Sequence, residues 1–164
     1  LQSIKRNFHE CRFQYRSSIF KEKAGEEIIL AAALKLKQGD PANIKAAIQE
    51  KINYRKERHP MEYPNIGSIF KNVDVKRVPE AILPRVQHVV KTDPFPVVPT
   101  AYLISEAGLK GVSYGGAMIS PKHPNFIVNA LDATAADVQA LIELVKSEVK
   151  SSFDIELEQE VETI

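Results

Sequence analysis

This sequence of 164 residues has a single cysteine, almost no net charge and no long apolar run. Cys11 is the only cysteine, which excludes an internal disulfide and any metal site built from several cysteines. A single cysteine fits a reducing compartment, so we expect a cytoplasmic protein. The net charge is +1, so there is no basic excess that would predict nucleic-acid binding and no acidic tail that would predict a disordered segment.

Membrane and targeting signals are also missing. The longest apolar run, Ile28 to Leu34, is far shorter than the ~20 residues that a membrane-spanning helix needs. The first ten residues lack the charged-then-apolar layout of a signal peptide. The chain begins with Leu1 rather than methionine, in sequence typical of a folded region, so we expect a fragment or a trimmed chain. No His, Asp or Glu spacing indicates a metal site, and no glycine-rich phosphate loop is present.

Two helices have clear signals in what remains. Asp40 and Pro41 suit a helix cap and a first helical residue, and apolar residues then recur at helical spacing, which predicts a helix from Pro41 to about Arg55 or Arg58. "TAADVQALIELVKSEVKSSF" predicts the second, with Thr134 and Asp137 as a capping box. Its expected buried stripe consists of Val138, Leu141, Ile142, Val145 and Val149. A third, shorter helix is predicted in "TAYLISEAG", with Thr100 as its cap and Gly108 just past its end.

Short strands are predicted between and around these helices. Glu26–Lys37 begins with β-branched residues, which favours a strand, although its alanines leave a helix open. Ser68–Lys71, "GGAMIS" and "NFIVN" are further short strands, and the residues from 73 to 99, with five prolines, predict an irregular insertion around one short helix. In Ile155–Ile164, a glutamate at every second position predicts a strand with one solvated face. Strands interspersed with helices, without regular βαβ spacing, indicate an α+β fold with a small antiparallel or mixed sheet packed by helices.

Six stretches, in order, carry a resemblance to a known family: "CRFQYRSSIF", "YPNIGSIFKN", "ISEAGLKG", "GGAMISPKHPNFIVN", "DVQALIELVKSEVKSSF" and "IELEQEV". Together they resemble the C-terminal part of UDP-N-acetylenolpyruvoylglucosamine reductase, the UDP-N-acetylmuramate dehydrogenase of peptidoglycan synthesis. The resemblance covers nearly the whole chain except the residues from 73 to 98. It implies a flavoenzyme in which NADPH reduces FAD and the flavin reduces UDP-N-acetylglucosamine enolpyruvate.

The family's glycine-rich flavin-binding segments have no counterpart among the 7 glycines of this chain. The resemblance therefore implies that residues 1–39 are the C-terminal end of an FAD-binding domain, whose N-terminal remainder is missing. Residues 40–164 would be the substrate-binding domain. The isolated chain is then expected to be inactive, because its FAD-binding site would be incomplete.

Three residues match catalytic positions of the family. Ser68 matches the serine that protonates the substrate carbon, Glu160 the glutamate that assists the enol intermediate, and Arg16 the arginine near the enolpyruvyl carboxylate. A serine hydroxyl can donate that proton if the site stabilises the alkoxide, and a guanidinium can grip a carboxylate through two bonds. Without the resemblance, Ser68 reads as a small turn residue, Arg16 as a surface residue and Glu160 as one of four solvated glutamates.

Four more residues match substrate-binding positions: Tyr15, Lys56, Asn72 and His123. Lys56 and Asn72 fall where family members place a lysine and an amide on the UDP-sugar, and His123 lies in a loop whose histidine faces the active site in some members. Lys56 also lies in a basic cluster, so a solvated helix end is an equal reading. His123 could equally be an exposed turn residue, and His59 and His88 have no such context.

Two departures from the family pattern favour an alternative function. Glu162 stands where the family usually has arginine, which reverses a charge close to the expected anionic substrate, and the stretch from 73 to 99 is extra. A non-catalytic module that binds a nucleotide sugar or another protein therefore remains the alternative. Nucleic-acid binding has only the basic cluster from Lys51 to Arg58 in its favour, and the acidic C-terminal strand opposes it.

Overall fold

The computed structural model describes residues 3–93 and 95–162. The chain divides into two compact units, residues 1–44 and residues 45–164, so that the division falls inside a helix. Among the described residues, no helix is both long enough and apolar enough to cross a bilayer.

The first unit is largely irregular and contains one turn of helix, α1 (Ile19–Glu22). A tight turn precedes α1, in which Gln14 and Ser17 form a β-bridge and Arg16 takes a φ of 55°. The amide of Ile19 donates to the carbonyl of Cys11 at 2.9 Å, and both side chains are buried. This small core fixes the turn that carries Arg16.

The strand predicted at Glu26–Lys37 is not formed, because residues 27–40 contain neither helix nor strand. Its large apolar side chains are 60–88% exposed: Ile28, Ile29, Leu30, Leu34 and Leu36. A strand needs a neighbour for its backbone N–H and C=O groups, and the described part of this unit offers none. The β-branched residues therefore do not form a strand, because the described part of this unit contains no sheet that they could join.

The helix predicted from Pro41 is confirmed as α2 (Pro41–Arg58). The carboxylate of Asp40 accepts the amide of Asn43 at 2.8 Å, as expected for the cap, and basic residues occupy the last turn, where the helix dipole favours them. Every residue of α2 is exposed, so its predicted apolar spacing is not matched by a packed face.

The second unit has the predicted α+β architecture, with a four-stranded antiparallel sheet and helices against it. The sheet has the order β1-β6-β5-β4, and a separate two-stranded sheet pairs β2 with β3. In chain order the elements are β1 (Asn65–Ser68), β2 (Val73–Asp74), α3 (Leu83–Val86), β3 (Val97–Val98), α4 (Thr100–Glu106), β4 (Ser113–Tyr114), β5 (Ala117–Ile119), β6 (Phe126–Asn129) and α5 (Ala135–Phe153). The strands predicted in "GGAMIS" and "NFIVN" are thus confirmed as β5 and β6.

Helix α5 supplies much of the core. Its capping box is present as predicted: the amide of Asp137 donates to the Thr134 hydroxyl at 3.2 Å, and the amide of Thr134 donates to the Asp137 carboxylate at 2.9 Å. The hydrogen bonds that the Asp137 carboxylate accepts from the backbone amides of Thr134 and Gly116 lower the pKa of Asp137. Leu141, Ile142, Val145 and Val149 are buried as predicted, whereas Val138 is only partly buried.

Two local predictions in this unit are wrong. The strand expected at Ser68–Lys71 is β1 at Asn65–Ser68, because the register shifts beside Gly67, whose φ is +92°. Thr100 does not cap α4 but is its first residue. Its hydroxyl donates to the carbonyl of Lys71 at 2.6 Å, while the Asn72 side chain takes over the capping role by accepting the Thr100 amide at 3.2 Å. Gly108 does follow the helix end, with a φ of +76°.

The stretch from 73 to 99, predicted to be irregular, contains regular elements and packed side chains among its described residues. β2 and β3 pair antiparallel at their ends, α3 is the predicted short helix, and a set of valines is fully integrated into the core: Val73, Val78, Val86, Val97 and Val98. The described part of this stretch is therefore packed into the core and is not a loose loop, despite its prolines.

The predicted C-terminal strand reduces to an extended segment with one bridge, between Phe70 and Gln159. Its partner is only residues 69–71, after which the chain turns into β2, so a longer ladder has nothing to pair with. The predicted alternation is confirmed at Ile155 and Leu157, which are buried, and at Glu156 and Glu158, which are exposed. Residues 163 and 164 lie outside the described residues.

Candidate active site

Ser68 ends β1 opposite Phe126 of β6 and is half-buried. The turn that leads to it is shaped by Asn65, whose side-chain oxygen accepts the amide of Gly67 at 3.1 Å. The Asn65 amide nitrogen donates to the carbonyls of Pro60 and Tyr63. With Gly67 in the left-handed region, these bonds fix the backbone just before the serine.

The segment after Ser68 is held from one side by Asn125. The amide of Ile69 donates to the Asn125 carbonyl at 2.8 Å. The Asn125 side chain accepts the amide of Phe70 at 3.0 Å and donates to the Phe70 carbonyl at 2.8 Å. The buried Asn125 side chain thus makes the two hydrogen bonds to Phe70 that the backbone of a neighbouring strand would otherwise make.

The C-terminal segment holds the same residues from the other side. The amide of Glu160 donates to the carbonyl of Ile69 at 2.8 Å, and the amide of Lys71 donates to the carbonyl of Glu158 at 2.9 Å. The backbone of Glu160 therefore lies beside the residue that follows Ser68. Two of the three residues predicted to be catalytic are brought together here, although they are far apart in the chain.

Glu158 is not the plain solvated glutamate that the alternation predicted. Its carboxylate pairs with the Lys71 ammonium and with the Arg77 guanidinium, the latter at 3.4 Å. The hydrogen bond from Lys71, and then the charges of Lys71 and Arg77, lower the pKa of Glu158. Glu156, in contrast, meets Lys150 at 3.4 Å and is largely exposed, as predicted.

His123 belongs to a small aromatic cluster next to Phe126. Its ring centroid lies 4.7 Å from that of Phe126 and 5.3 Å from that of His59, and His59 lies 5.0 Å from Phe126. The Nδ1 atom of His123 is buried and has no hydrogen-bond partner among the described residues. Since Phe126 pairs with Ser68 across the sheet, His123 flanks the same strand end as the serine.

The pKa values of both histidines of this cluster are lowered, which favours their neutral forms. Burial lowers the pKa of His123, and the neighbouring charges of His59 and Lys91 lower it further. Burial also lowers the pKa of His59, with added contributions from Arg55 and Lys122. His59 was not predicted as a site residue, and no spacing in the sequence connects it with His123, so only the fold reveals the pair.

Lys56 and Asn72 are placed differently from each other. The Lys122 ammonium donates to the backbone carbonyl of Lys56 at 2.8 Å, which joins the end of α2 to the loop that carries His123. Lys56 is itself exposed. Asn72 is half-buried and uses its side-chain oxygen on Thr100, while its amide nitrogen makes no hydrogen bond to the described residues and can donate to a ligand.

Tyr15 and Arg16 belong to the unit of residues 1–44, whereas the other five predicted site residues belong to the unit of residues 45–164. The Arg16 guanidinium lies 5.9 Å from the centre of the Tyr15 ring. Tyr15 and Arg16 are adjacent in the chain and lie at the tight turn before α1, where Tyr15 is partly buried and Arg16 is exposed.

The described residues do not by themselves fit a flavin or a metal ion. A dinucleotide diphosphate needs backbone amides that glycines allow to approach closely. Among the described residues of the first unit, a Cβ atom at Gly25 would meet nothing within 4 Å, and one at Gly39 would meet only the Ile44 side chain. Within residues 3–93 and 95–162, no group of three or more His, Cys, Asp or Glu could hold a metal ion.

Comparison with known proteins identifies a family. Residues 59–164 match the family described as "UDP-N-acetylenolpyruvoylglucosamine reductase, C-terminal domain". The UDP-N-acetylenolpyruvoylglucosamine reductase of Anoxybacillus flavithermus is 39% identical over 155 residues, which cover 94% of this chain and 44% of that protein. The reductase of Fervidobacterium nodosum is 40% identical over 159 residues, covering 97% of this chain and 44% of that protein.

A solved structure shows the same fold. The crystal structure of UDP-N-acetylenolpyruvylglucosamine reductase from Thermus caldophilus matches with a TM-score of 0.64 at 30% identity, covering 94% of this chain and 46% of that one. The chain thus spans less than half the length of these relatives. Because the family match includes well over half of its residues, the chain belongs to the UDP-N-acetylenolpyruvoylglucosamine reductase family, and its residues 59–164 correspond to the family's C-terminal domain.

Proposed function

We propose that this chain is the substrate-side part of a UDP-N-acetylmuramate dehydrogenase. The complete protein would reduce UDP-N-acetylenolpyruvoylglucosamine with NADPH as the reductant and FAD as the cofactor that supplies hydride. The observation that carries the proposal is the hydrogen bond from the Glu160 amide to the Ile69 carbonyl, which holds the Glu160 backbone beside the residue that follows Ser68. Residues 1–39 would complete an FAD-binding domain, and residues 40–164 would form the substrate-binding domain.

The three catalytic candidates would divide the work on the enolpyruvyl group. Ser68 would donate a proton from its hydroxyl to the substrate carbon, and its fixed position after Gly67 supports this role. Glu160 would assist the enol intermediate, and Arg16 would bind the enolpyruvyl carboxylate through its planar guanidinium. The residues of this chain thus bind, orient and protonate the substrate.

The substrate-binding candidates would hold the UDP-sugar. Tyr15 would accompany Arg16. Asn72 would donate from its side-chain nitrogen, which makes no hydrogen bond to the described residues, and His123 would act from its place beside Phe126. Lys56 would act near the junction of α2 with the His123 loop, where the Lys122 ammonium donates to the Lys56 carbonyl and pairs with Glu62. Glu162 opposes binding through its charge, but it is exposed, so water and salt screen it.

The test joins this chain to the N-terminal part of the Anoxybacillus flavithermus reductase and measures NADPH oxidation that depends on the enolpyruvyl UDP-sugar. We expect turnover, and we expect Ser68→Ala to lower kcat by about 10²–10⁴, the usual contribution of a general acid. Ser151→Ala removes an exposed serine on α5 and should leave kcat unchanged. Equal activity of the two variants would refute the role of Ser68.

The alternative is a module that binds a nucleotide sugar without catalysis, and the reversed charge at Glu162 favours it. Calorimetric titration of the same joined protein with the UDP-sugar separates the two functions. Binding without NADPH oxidation would support the module, whereas binding with turnover that Ser68→Ala removes would support the reductase.

A further inference from the structure

We propose that Asn65 is a positioning residue for Ser68, because it holds the β-bulge that decides which face of the sheet the serine occupies. The proposal rests on the proposed function in so far as Ser68 donates a proton to substrate. It assigns a task to a side chain that lies outside the predicted site residues.

Strand β1 contains one more residue than the part of β6 with which it pairs. Asn65 lies opposite Val128 and Ser68 lies opposite Phe126, so that three steps along β1 correspond to two along β6. One extra residue in one of two paired strands is a β-bulge, and Gly67 gives it a form that glycine favours, with a φ of +92°. The backbone hydrogen bonds on either side show the same extra residue: the Asn129 amide to the Pro64 carbonyl, and the Ile69 amide to the Asn125 carbonyl.

This extra residue changes the face to which Ser68 points. Side chains alternate along a regular strand, so Asn65 and Ser68, three residues apart, would face opposite ways. Their partners Val128 and Phe126 are two apart and share one face, so the bulge brings Asn65 and Ser68 to that face as well. A regular β1 that continued the pairing of Asn65 would instead place Ser68 opposite Asn125, on the other face.

The two faces of β6 offer different neighbours. Phe126, which shares the face of Ser68, has its ring centroid 4.7 Å from that of His123. On the other face, Ile127 pairs with Ile119, and both belong to the hydrophobic core. The bulge therefore turns the serine hydroxyl away from an apolar core and toward a face with polar, titratable groups.

Asn65 ties this bulge to the turn before it. Its side-chain oxygen accepts the Gly67 amide at 3.1 Å, in the turn that asparagine forms with the backbone two residues on. Its side-chain nitrogen donates to the carbonyls of Tyr63 at 2.9 Å and Pro60 at 3.1 Å. Without these three bonds, only the conformational freedom of Gly67 would favour the bulge.

The first arm of the test replaces Gly67 with alanine in the joined reductase. A Cβ atom there would meet nothing within 4 Å, so the methyl group acts only through the backbone, because alanine disfavours a φ of +92°. Gly108→Ala is the matched control, since Gly108 has a φ of +76° and an equally open Cβ position just past α4. We expect Gly67→Ala to lower kcat by about tenfold or more with KM within about twofold, because misplacing a catalytic group costs rate rather than binding. Gly108→Ala should leave both constants within about twofold.

The second arm replaces Asn65 itself. Asn65→Ala removes the bond to the Gly67 amide and should lower kcat by about fivefold or more, again with little change in KM. Asn65→Ser supplies a hydroxyl that can accept the same amide more weakly, so its kcat should lie within about threefold of the unsubstituted protein. Asn129→Ala removes an exposed bond to the Ala133 amide at the end of β6 and should leave both constants within about twofold.

The third arm needs no activity and uses this chain itself. Ser68 and Phe126 lie directly opposite each other, so their Hα protons should give a cross-strand nuclear Overhauser contact. That contact should weaken at least about twofold in the two alanine variants at the bulge and persist in their two controls. The contact of Ile119 with Ile127, farther into the sheet, should be unchanged in all four.

The outcomes separate the two proposals. An unchanged contact between Ser68 and Phe126 in Asn65→Ala would overturn the positioning role, whatever the activity. A weakened contact with an unchanged kcat would overturn it as well, because the face of Ser68 would then not matter for turnover. Equal losses of kcat in Gly67→Ala and Gly108→Ala would also count against it, since general destabilisation would explain both. An inactive unsubstituted reductase would overturn the proposed function instead, and the proton contacts would still decide whether Asn65 holds the bulge.

Discussion

Replacing Asn125 with alanine tests the packing that holds the serine strand. Asn125 is 4% exposed, and its side chain satisfies both the amide and the carbonyl of Phe70, at 3.0 and 2.8 Å. Alanine can form neither bond, and Phe70, itself 2% exposed, is out of reach of solvent. A buried backbone group without a partner costs about 1–3 kcal/mol, so two of them should lower the free energy of unfolding by about 2–6 kcal/mol.

Urea unfolding followed by circular dichroism at 222 nm measures this loss. The control is Asn129→Ala, which removes an amide that accepts the Ala133 amide at 2.9 Å in an exposed position. Because water can replace that bond, the control should cost only about 0.5–1.5 kcal/mol. If the two variants unfold with free energies within about 0.5 kcal/mol of each other, Asn125 does not act as a buried strand substitute.

Two further predictions concern a close backbone approach and the histidine pair. A Cβ atom at Gly116 would lie 2.1 Å from the Leu131 carbonyl oxygen, so Gly116→Ala should cost about 1–3 kcal/mol or more in the same urea assay, and an unchanged midpoint would contradict the approach. Burial lowers the pKa of both His59 and His123, so these histidines bind protons more tightly in the unfolded chain than in the folded protein. Their contribution to the free energy of unfolding is therefore fully present above about pH 6.5, the ordinary histidine pKa, and is lost as the pH falls through the folded pKa values. The urea midpoint should therefore fall between pH 7 and pH 5, and fall less in His123→Phe; equal slopes in the two proteins would argue against buried neutral histidines.

Local signals account for the parts of the fold that the sequence predicted correctly. The cap at Asp40 and the capping box of Thr134 with Asp137 act within one helical turn, so a short window contains all the residues involved. Strands β5 and β6 are joined by a short turn, which also keeps partner and signal close. The segment Glu26–Lys37 shows the opposite case, because a strand forms only where another strand can pair with it.

The site follows the same physical rule. Ser68, Glu160 and His123 were predicted through the family resemblance, and the structure places them around one strand end. Asn125 and His59 were not predicted, because their importance arises from contacts with Phe70 and His123 that only the sheet topology creates. Residue type and spacing cannot predict such partners, which lie about 55 to 64 positions away in the chain.

The four glutamates near the C-terminus show what periodicity can and cannot specify. Alternation fixes which face each side chain occupies, and Ile155 and Leu157 confirm that face by being buried. It cannot rank Glu156, Glu158 and Glu160, because all three satisfy the same pattern. Their difference lies in what each one meets: a helix lysine, two cations that flank the serine strand, and the backbone beside that strand. A shift of the chain by two residues would bring either Gln159 into the buried position of Leu157 or Phe153 of α5 into that of Ile155. The burial of these apolar side chains, and not the alternation of the glutamates, therefore decides that Glu160 is the glutamate beside Ile69.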